Sequence, residues 1–226
     1  MGISLVSRWP ARVGVLLAVL LVSALSYALV ERATGEDVPK CERFAAESLN
    51  RQQIVTGRGQ RVVVIGDSYS VGLGLEDAAR AWPRELPGEV HVHGFSGSGF
   101  SAHASPCGRV SYADRAARAV RGGADLVILE GGLNDVHSSE TALRTGVRRV
   151  LGVLKGVRVV IVGPVPAPDR MPGAAHVDSV LASEAARAHV PYVSMIDADL
   201  AYLDGGLHLT RDGHRAFGDL VVARLP

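Results

Sequence analysis

Residues 61–68 read Arg61-Val62-Val63-Val64-Ile65-Gly66-Asp67-Ser68. Four consecutive β-branched apolar residues, stopped by a glycine, form a run too short for a buried helix. They fit a strand covered on both faces. Comparable runs recur at 125–129 and 157–162, with more alternating ones at 89–93 and 192–196. Between and around them lie stretches of helical spacing at 75–86, where Pro83 breaks the pattern, and at 111–121, 138–154 and 174–189. Thr210 is a good N-cap for a terminal helix with Ala216, Phe217, Leu220, Val221 and Leu225 on its apolar face. Alternating strands and helices predict an α/β domain, a flavodoxin-like three-layer α/β/α sandwich with a five-stranded parallel sheet.

The chain has 226 residues, 47% hydrophobic and 21% charged, with a net charge of +1. This is a globular composition. It carries no basic stripe with interleaved aromatics, which argues against a nucleic-acid partner. At the N-terminus, Arg8 and Arg12 precede an uncharged apolar run at 13–30, and Glu31 and Arg32 follow it. About 18 residues is the lower edge of a membrane span and longer than most signal-peptide cores. The basic flank predicts the N-terminus inside and the remainder outside. The expected organisation is a signal peptide or signal-anchor transmembrane helix over 1–30, a linker or neck over 31–60, and the domain over 61–226. The domain is then exported, held at the membrane through the N-terminal helix or secreted after cleavage. The two cysteines, Cys41 and Cys107, form an even count, which in an exported chain predicts a disulfide.

Open parallel sheets bind ligands at the carboxyl ends of their strands. Ser68 follows the first core strand, Gly94-Phe95-Ser96-Gly97-Ser98-Gly99 the second, and Gly132-Leu133-Asn134-Asp135 the third. His208 precedes the terminal helix. A hydroxyl, an amide and an imidazole supply the nucleophile, oxyanion donor and general base of acyl transfer. Taken singly, each is ordinary: a turn-capping Ser, a turn Asn, a loop His. Asp67 and His214 read as structural, and Asp135 as a cap for the segment after it. His91 and His93 alternate along one strand with no acid or Cys assigned to them, so no metal is expected there. Gly97-Ser98-Gly99-Phe100-Ser101-Ala102 has the spacing of a dinucleotide loop, but Pro106 spoils the helix such a loop needs, so no nucleotide cofactor is expected.

Together the four blocks resemble the SGNH hydrolases, the GDSL-type esterases and lipases, over roughly residues 61–217. Ser68 matches the nucleophile block, with Tyr69 where the family usually has Leu. Gly97 matches the oxyanion glycine, with Gly99 as a second register. Asn134 matches the oxyanion asparagine and His208 the base. The resemblance implies a serine esterase needing no cofactor or metal. In it Ser68 attacks an ester carbonyl, His208 takes the proton, and Ser68, Gly97 and Asn134 form the oxyanion hole. The substrate is a small-molecule or envelope-linked ester. The family usually places an Asp three residues before the base, where this chain has Gly205. Either a bulge at Gly205-Gly206 keeps Asp204 as the orienting acid, or Ser68 and His208 work as a dyad. The same acyl-enzyme also serves an acyltransferase acting on glycan or lipid hydroxyls. A non-catalytic exported binding domain is the remaining alternative. An α/β-hydrolase places its nucleophile after several strands, unlike Ser68.

Overall fold

The computed structural model describes residues 9–171 and 173–226, with side chains from Val15 onward except at 24–25 and 27–36. Of the signal or anchor segment expected at 1–30, residues 1–8 lie outside the described residues. Among the described residues no helix is long and apolar enough to cross a membrane. The chain divides into two compact units, Met1–Glu42 and Arg43–Pro226. Helix α1 (Trp9–Gln52) makes up the described part of the first unit, where Leu16, Leu20 and Leu21 are exposed. Its last ten residues belong to the second unit. Neither Cys41 nor Cys107 is a free thiol.

The second unit is built on six strands: β1 (Val55–Thr56), β2 (Arg61–Ile65), β3 (Glu89–Val92), β4 (Leu126–Glu130), β5 (Val159–Val162) and β6 (Tyr192–Val193). Their order is β1-β3-β2-β4-β5-β6. The last five form the expected parallel sheet in flavodoxin-like order. The sheet is larger than the five strands expected, because β1 adds an antiparallel edge on β3. Two residues are too few to show a strand period. The helices are α2 (Ser68–Val71), α3 (Tyr112–Ala119), α4 (Glu140–Val153), α5 (Gly173–Arg187) and α6 (Arg211–Arg224). Thr210 caps α6 as expected, its hydroxyl accepting from the Gly213 N–H at 3.0 Å.

The helix expected over 75–86 is instead two 3₁₀ turns, Ala78–Arg80 and Trp82–Glu85. Asp77 caps the first through the Ala79 N–H, and the extended Ala81 separates them. Pro83 lacks the N–H that an α-helix through this point would use. The alternation of β2 sends Val62 and Val64 to one face of the sheet and Val63 and Ile65 to the other. The first face is covered by Trp82, Phe217 and Val221, the second by Tyr112, Leu143, Val147 and Leu181. With cores on both faces, ligands of an open parallel sheet meet it at the carboxyl edge. There β2 and β4 lie side by side where the chain order reverses.

Candidate active site

Gly66 ends β2 because no side chain fits there. A Cβ would collide with Ser70 Oγ and lie 2.8 Å from Glu130 Oε2. Asp67 then caps the single turn of α2, its Oδ1 accepting from the Tyr69 N–H at 2.9 Å. The turn closes at Gly72, whose left-handed φ of 88° lets its N–H reach Ser68 O. Ser68 therefore sits at the start of a one-turn helix at the sheet's carboxyl edge, 8% exposed.

After β4, Gly131 and Gly132 turn the chain with φ of 143° and 123°. Asn134 follows, and its Nδ2 donates to Asp67 Oδ2 at 3.2 Å and to Ser98 O at 2.9 Å. One amide nitrogen thus joins the Ser68 turn to the loop carrying Gly97. That loop is held from below as well. Asp135 accepts from the N–H groups of Phe100 (2.9 Å) and Ser101 (2.8 Å), and Gly99 is glycine because a Cβ would collide with Asp135 Oδ2. Asp135 does not cap the segment after it as expected, since the N-cap of α4 is Ser139. Buried Arg115 completes the brace. Its guanidinium donates to Gly66 O at 3.0 Å, to Ser98 Oγ at 2.8 Å and to His93 O. Gly97 itself has φ of 76° and lies against the Phe44 ring of α1.

Electrostatics at this edge are those of a low-dielectric pocket. Burial raises the Asp67 carboxyl to about 7 and the Asp135 carboxyl to about 6, and pushes Glu130 well above its ordinary value. Glu130 still accepts from the Ser70 hydroxyl at 2.5 Å.

His208 lies beside the nucleophile's turn. The Tyr69 hydroxyl donates to Leu207 O, the Tyr69 and His208 rings are 6.4 Å apart, and a Cβ on Gly74 would be 4.0 Å from His208 Cβ. Among the described residues Ser68 and His208 share no direct hydrogen bond. Such contacts often tighten only when substrate is bound. Burial lowers the His208 pKa first, then Arg170, while Asp169 opposes them. Asp204 is exposed in the turn Leu203–Gly206, closed by Gly206 N–H to Leu203 O at 2.8 Å. The histidine–carboxylate ion pairs of the described residues are His91–Glu89 and His176–Glu140, so none reaches His208. Gly206, at φ of 64°, is overlain by Pro168, and its carbonyl accepts from the Asp169 N–H. His214, fully buried on α6, has no hydrogen-bond partner for either ring nitrogen, and burial and His208 lower its pKa to about 4.

His91 does have an acidic neighbour, contrary to expectation: Glu89 lies 2.6 Å away on the same strand face. Among the described residues no group of three or more His, Cys, Asp or Glu side chains is placed to hold a metal ion. The residues that sequence reading missed are Tyr69, Arg115 and Asp135 as braces of the site. Tyr69 was visible only as a departure from the usual Leu.

A family model for the GDSL-like lipase/acylhydrolase family matches residues 64–216, which include Ser68, Gly97, Asn134 and His208. The chain belongs to that family. It is a GDSL-type hydrolase acting on ester bonds. Solved structures share the fold. A G-D-S-L family protein from Desulfitobacterium hafniense is 18% identical with a TM-score of 0.60, covering 74% of this chain and 100% of that one. A carbohydrate acetylesterase from Sinorhizobium meliloti is 18% identical with a TM-score of 0.59, covering 73% and 97%. The aryl esterase of M. smegmatis is 19% identical with a TM-score of 0.56, again covering 73% and 97%. No match was found among curated proteins.

Proposed function

We propose that this GDSL-type hydrolase is an exported serine esterase that cleaves carboxylic esters through an acyl-enzyme on Ser68. The observation that carries the reading is the double hydrogen bond of Asn134, which joins the Ser68 turn to the Gly97 loop. Ser68 Oγ attacks the ester carbonyl and His208 takes its proton. The oxyanion forms against the N–H groups of Ser68 and Gly97 and the Asn134 amide, which turns the N–H it gives to Asp67 Oδ2 toward the oxyanion, each donor worth about 3–4 kcal/mol in the transition state. His208 then protonates the leaving alcohol, and water attacks the acyl-enzyme to release the acid. The carbohydrate acetylesterase among the structural neighbours favours a small acyl group.

Asp204 is the orienting acid in this proposal, engaging His208 when the Leu203–Gly206 turn closes on the imidazole. Its exposure is the observation that favours the alternative, a Ser68–His208 dyad. Asp204→Asn separates them: a loss of turnover of about a hundred-fold or more supports the triad, and an unchanged rate supports the dyad. Export rests on Arg8 and Arg12 ahead of the apolar run. A periplasmic reporter fused after residue 60 tests it.

The deciding experiment is labelling of the full chain with a fluorophosphonate. Labelling abolished by Ser68→Ala is the expected result. No labelling, or labelling that persists in Ser68→Ala, overturns the mechanism through Ser68.

A further inference from the structure

Helix α2, which opens with the nucleophile, is a single turn of four residues, and one turn does not hold itself in water. Its place at the carboxyl edge depends on what its side chains reach. Tyr69 reaches the base loop, donating to Leu207 O. Ser70 reaches the last residue of β4, its hydroxyl donating to Glu130 Oε2 at 2.5 Å. Ser70 is fully buried and Glu130 is 3% exposed. The same carboxyl oxygen lies against Gly66, where a Cβ would stand 2.8 Å from it. Glu130 therefore touches the nucleophile's turn on both sides of Asp67.

An acid in this position is unusual. The alternation of β4 puts it on the Ile128 face of the sheet, the face that Trp82 and Phe217 cover. Burying a carboxyl among apolar side chains costs free energy that a leucine or methionine of similar size would not. No cation offsets that cost: among the described residues no ion pair reaches Glu130. Arg115, the buried guanidinium of the site, gives its hydrogen bonds to Gly66 O, Ser98 Oγ and His93 O. Burial first, and then the neighbouring Asp67 carboxyl, push the Glu130 pKa well above its ordinary value, so it is neutral at working pH. What it supplies that an apolar side chain lacks is an acceptor for Ser70.

We propose that Glu130 is a positioning residue of the esterase reaction, fixing the nucleophile's turn, and with it Ser68, to the end of β4 through the Ser70 hydroxyl. The proposal rests on the esterase reading above. Glu130 acts through Ser70 and not on the substrate. Ser68 is tied into the same turn, its carbonyl accepting from the N–H groups of Gly72 and Leu73 at 2.9 and 3.0 Å. A shift of that turn moves Ser68 Oγ away from the carbonyl it attacks and the Ser68 N–H away from the oxyanion, and small misplacements of this kind lower kcat steeply. Because the carboxyl is neutral, glutamine is its closest substitute: the amide oxygen still accepts from Ser70. Methionine fills the space and offers Ser70 only a weak thioether acceptor.

A double-substitution cycle in the full-length chain tests this. Turnover of p-nitrophenyl acetate is counted per fluorophosphonate-labelled site, so misfolded chains drop out. Glu130→Met and Ser70→Ala each lower kcat about ten-fold, with KM within about two-fold of wild type. The double variant falls no further than either single one, because both remove the same contact. Glu130→Gln keeps kcat within about two-fold of wild type. A purely structural carboxyl would lower the melting temperature and leave kcat per site unchanged. That result overturns the proposal, and so do losses that multiply in the double variant or a Glu130→Gln as slow as Glu130→Met. Where Glu130→Met does not fold, Ser70→Ala and Glu130→Gln decide: wild-type kcat in the first, or a ten-fold loss in the second, overturns it. A wild-type chain that neither labels nor cleaves the ester overturns the esterase reading and this proposal with it. A wild-type chain that labels, with a cycle other than the one expected, overturns the positioning role alone.

Discussion

The Tyr69 hydroxyl donates to the Leu207 carbonyl oxygen at 2.5 Å, joining the residue after the nucleophile to the residue before the base across 138 positions of sequence. Tyr69 is 2% exposed, and burial pushes its phenol far above the ordinary value, so it remains a donor at any working pH. Its ring also meets Phe217 edge to face at 6.0 Å, and Phe217 meets Trp82 at 5.3 Å. The base loop is therefore fastened to the nucleophile's turn by a hydrogen bond that the core holds in place. Tyr69→Phe keeps the ring contacts and removes only that bond, worth about 1 kcal/mol. We expect kcat on p-nitrophenyl acetate to fall about ten-fold, with KM little changed and the melting temperature slightly lowered. An unchanged kcat shows that His208 is positioned without Tyr69.

Asn134 has two tasks, and its removal affects both. Asn134→Ala deletes an oxyanion donor and also the link between Asp67 and Ser98. Loss of one such donor lowers kcat by roughly 10²–10³. Fluorophosphonate labelling of Ser68 slows in parallel, because the phosphonyl oxygen uses the same hole. Labelling at the wild-type rate would place Asn134 outside the oxyanion hole and leave it a structural tie.

The fold was legible where burial on both faces forces an uninterrupted apolar run, as at Val62–Ile65 and Val127–Leu129. It was illegible at Val55–Thr56, which is too short for a period. Residues 75–86 misled because helical spacing of apolar residues also suits two successive 3₁₀ turns, and Pro83 decides between them only once Ala81 is seen to be extended. In the site, Ser68, Gly97 and Asn134 were readable because the topology brings strand ends together whatever the side chains between them. Arg115 and Asp135 were not. Each acts on backbone atoms remote in sequence, and nothing in an Arg within a helix tells which loop it will meet. Asp204 shows the same limit. Its spacing from His208 suggested a partner, whereas the Leu203–Gly206 turn leaves it exposed.

Two charged neighbours of His208, Asp169 and Arg170, give a test in pH. Burial and Arg170 both disfavour the imidazolium of His208, so its pKa lies below the ordinary 6.5. The base is then already neutral at pH 6.5, and the acid limb of kcat/KM has its midpoint below that value. Arg170→Met removes a repelling cation and moves the limb to higher pH. Asp169→Asn removes an attracting anion and moves it lower. A limb that responds to neither substitution would report a different group.

Asp67 offers the last prediction, on stability. Its folded pKa of about 7 stands above the unfolded value of 3.8, mainly through burial. The folded state therefore holds a proton that the unfolded state releases. The stability this contributes is complete below about pH 4 and is lost as pH rises through about 7. Half-buried His93 and buried His214, with pKa values lowered to about 4, act in the opposite sense between about 4 and 6.5, so the wild-type curve alone mixes the two. The difference between Asp67→Asn and wild type isolates the carboxyl. The substituted amide still offers an oxygen to the Tyr69 N–H but does not ionise. Relative to wild type, the variant should gain stability steadily from about pH 4 to about pH 8, by a few kcal/mol at most, read as the change in denaturation midpoint across that range. A constant difference across the range would mean that Asp67 stays ionised throughout, with Asn134 and Arg115 compensating its burial.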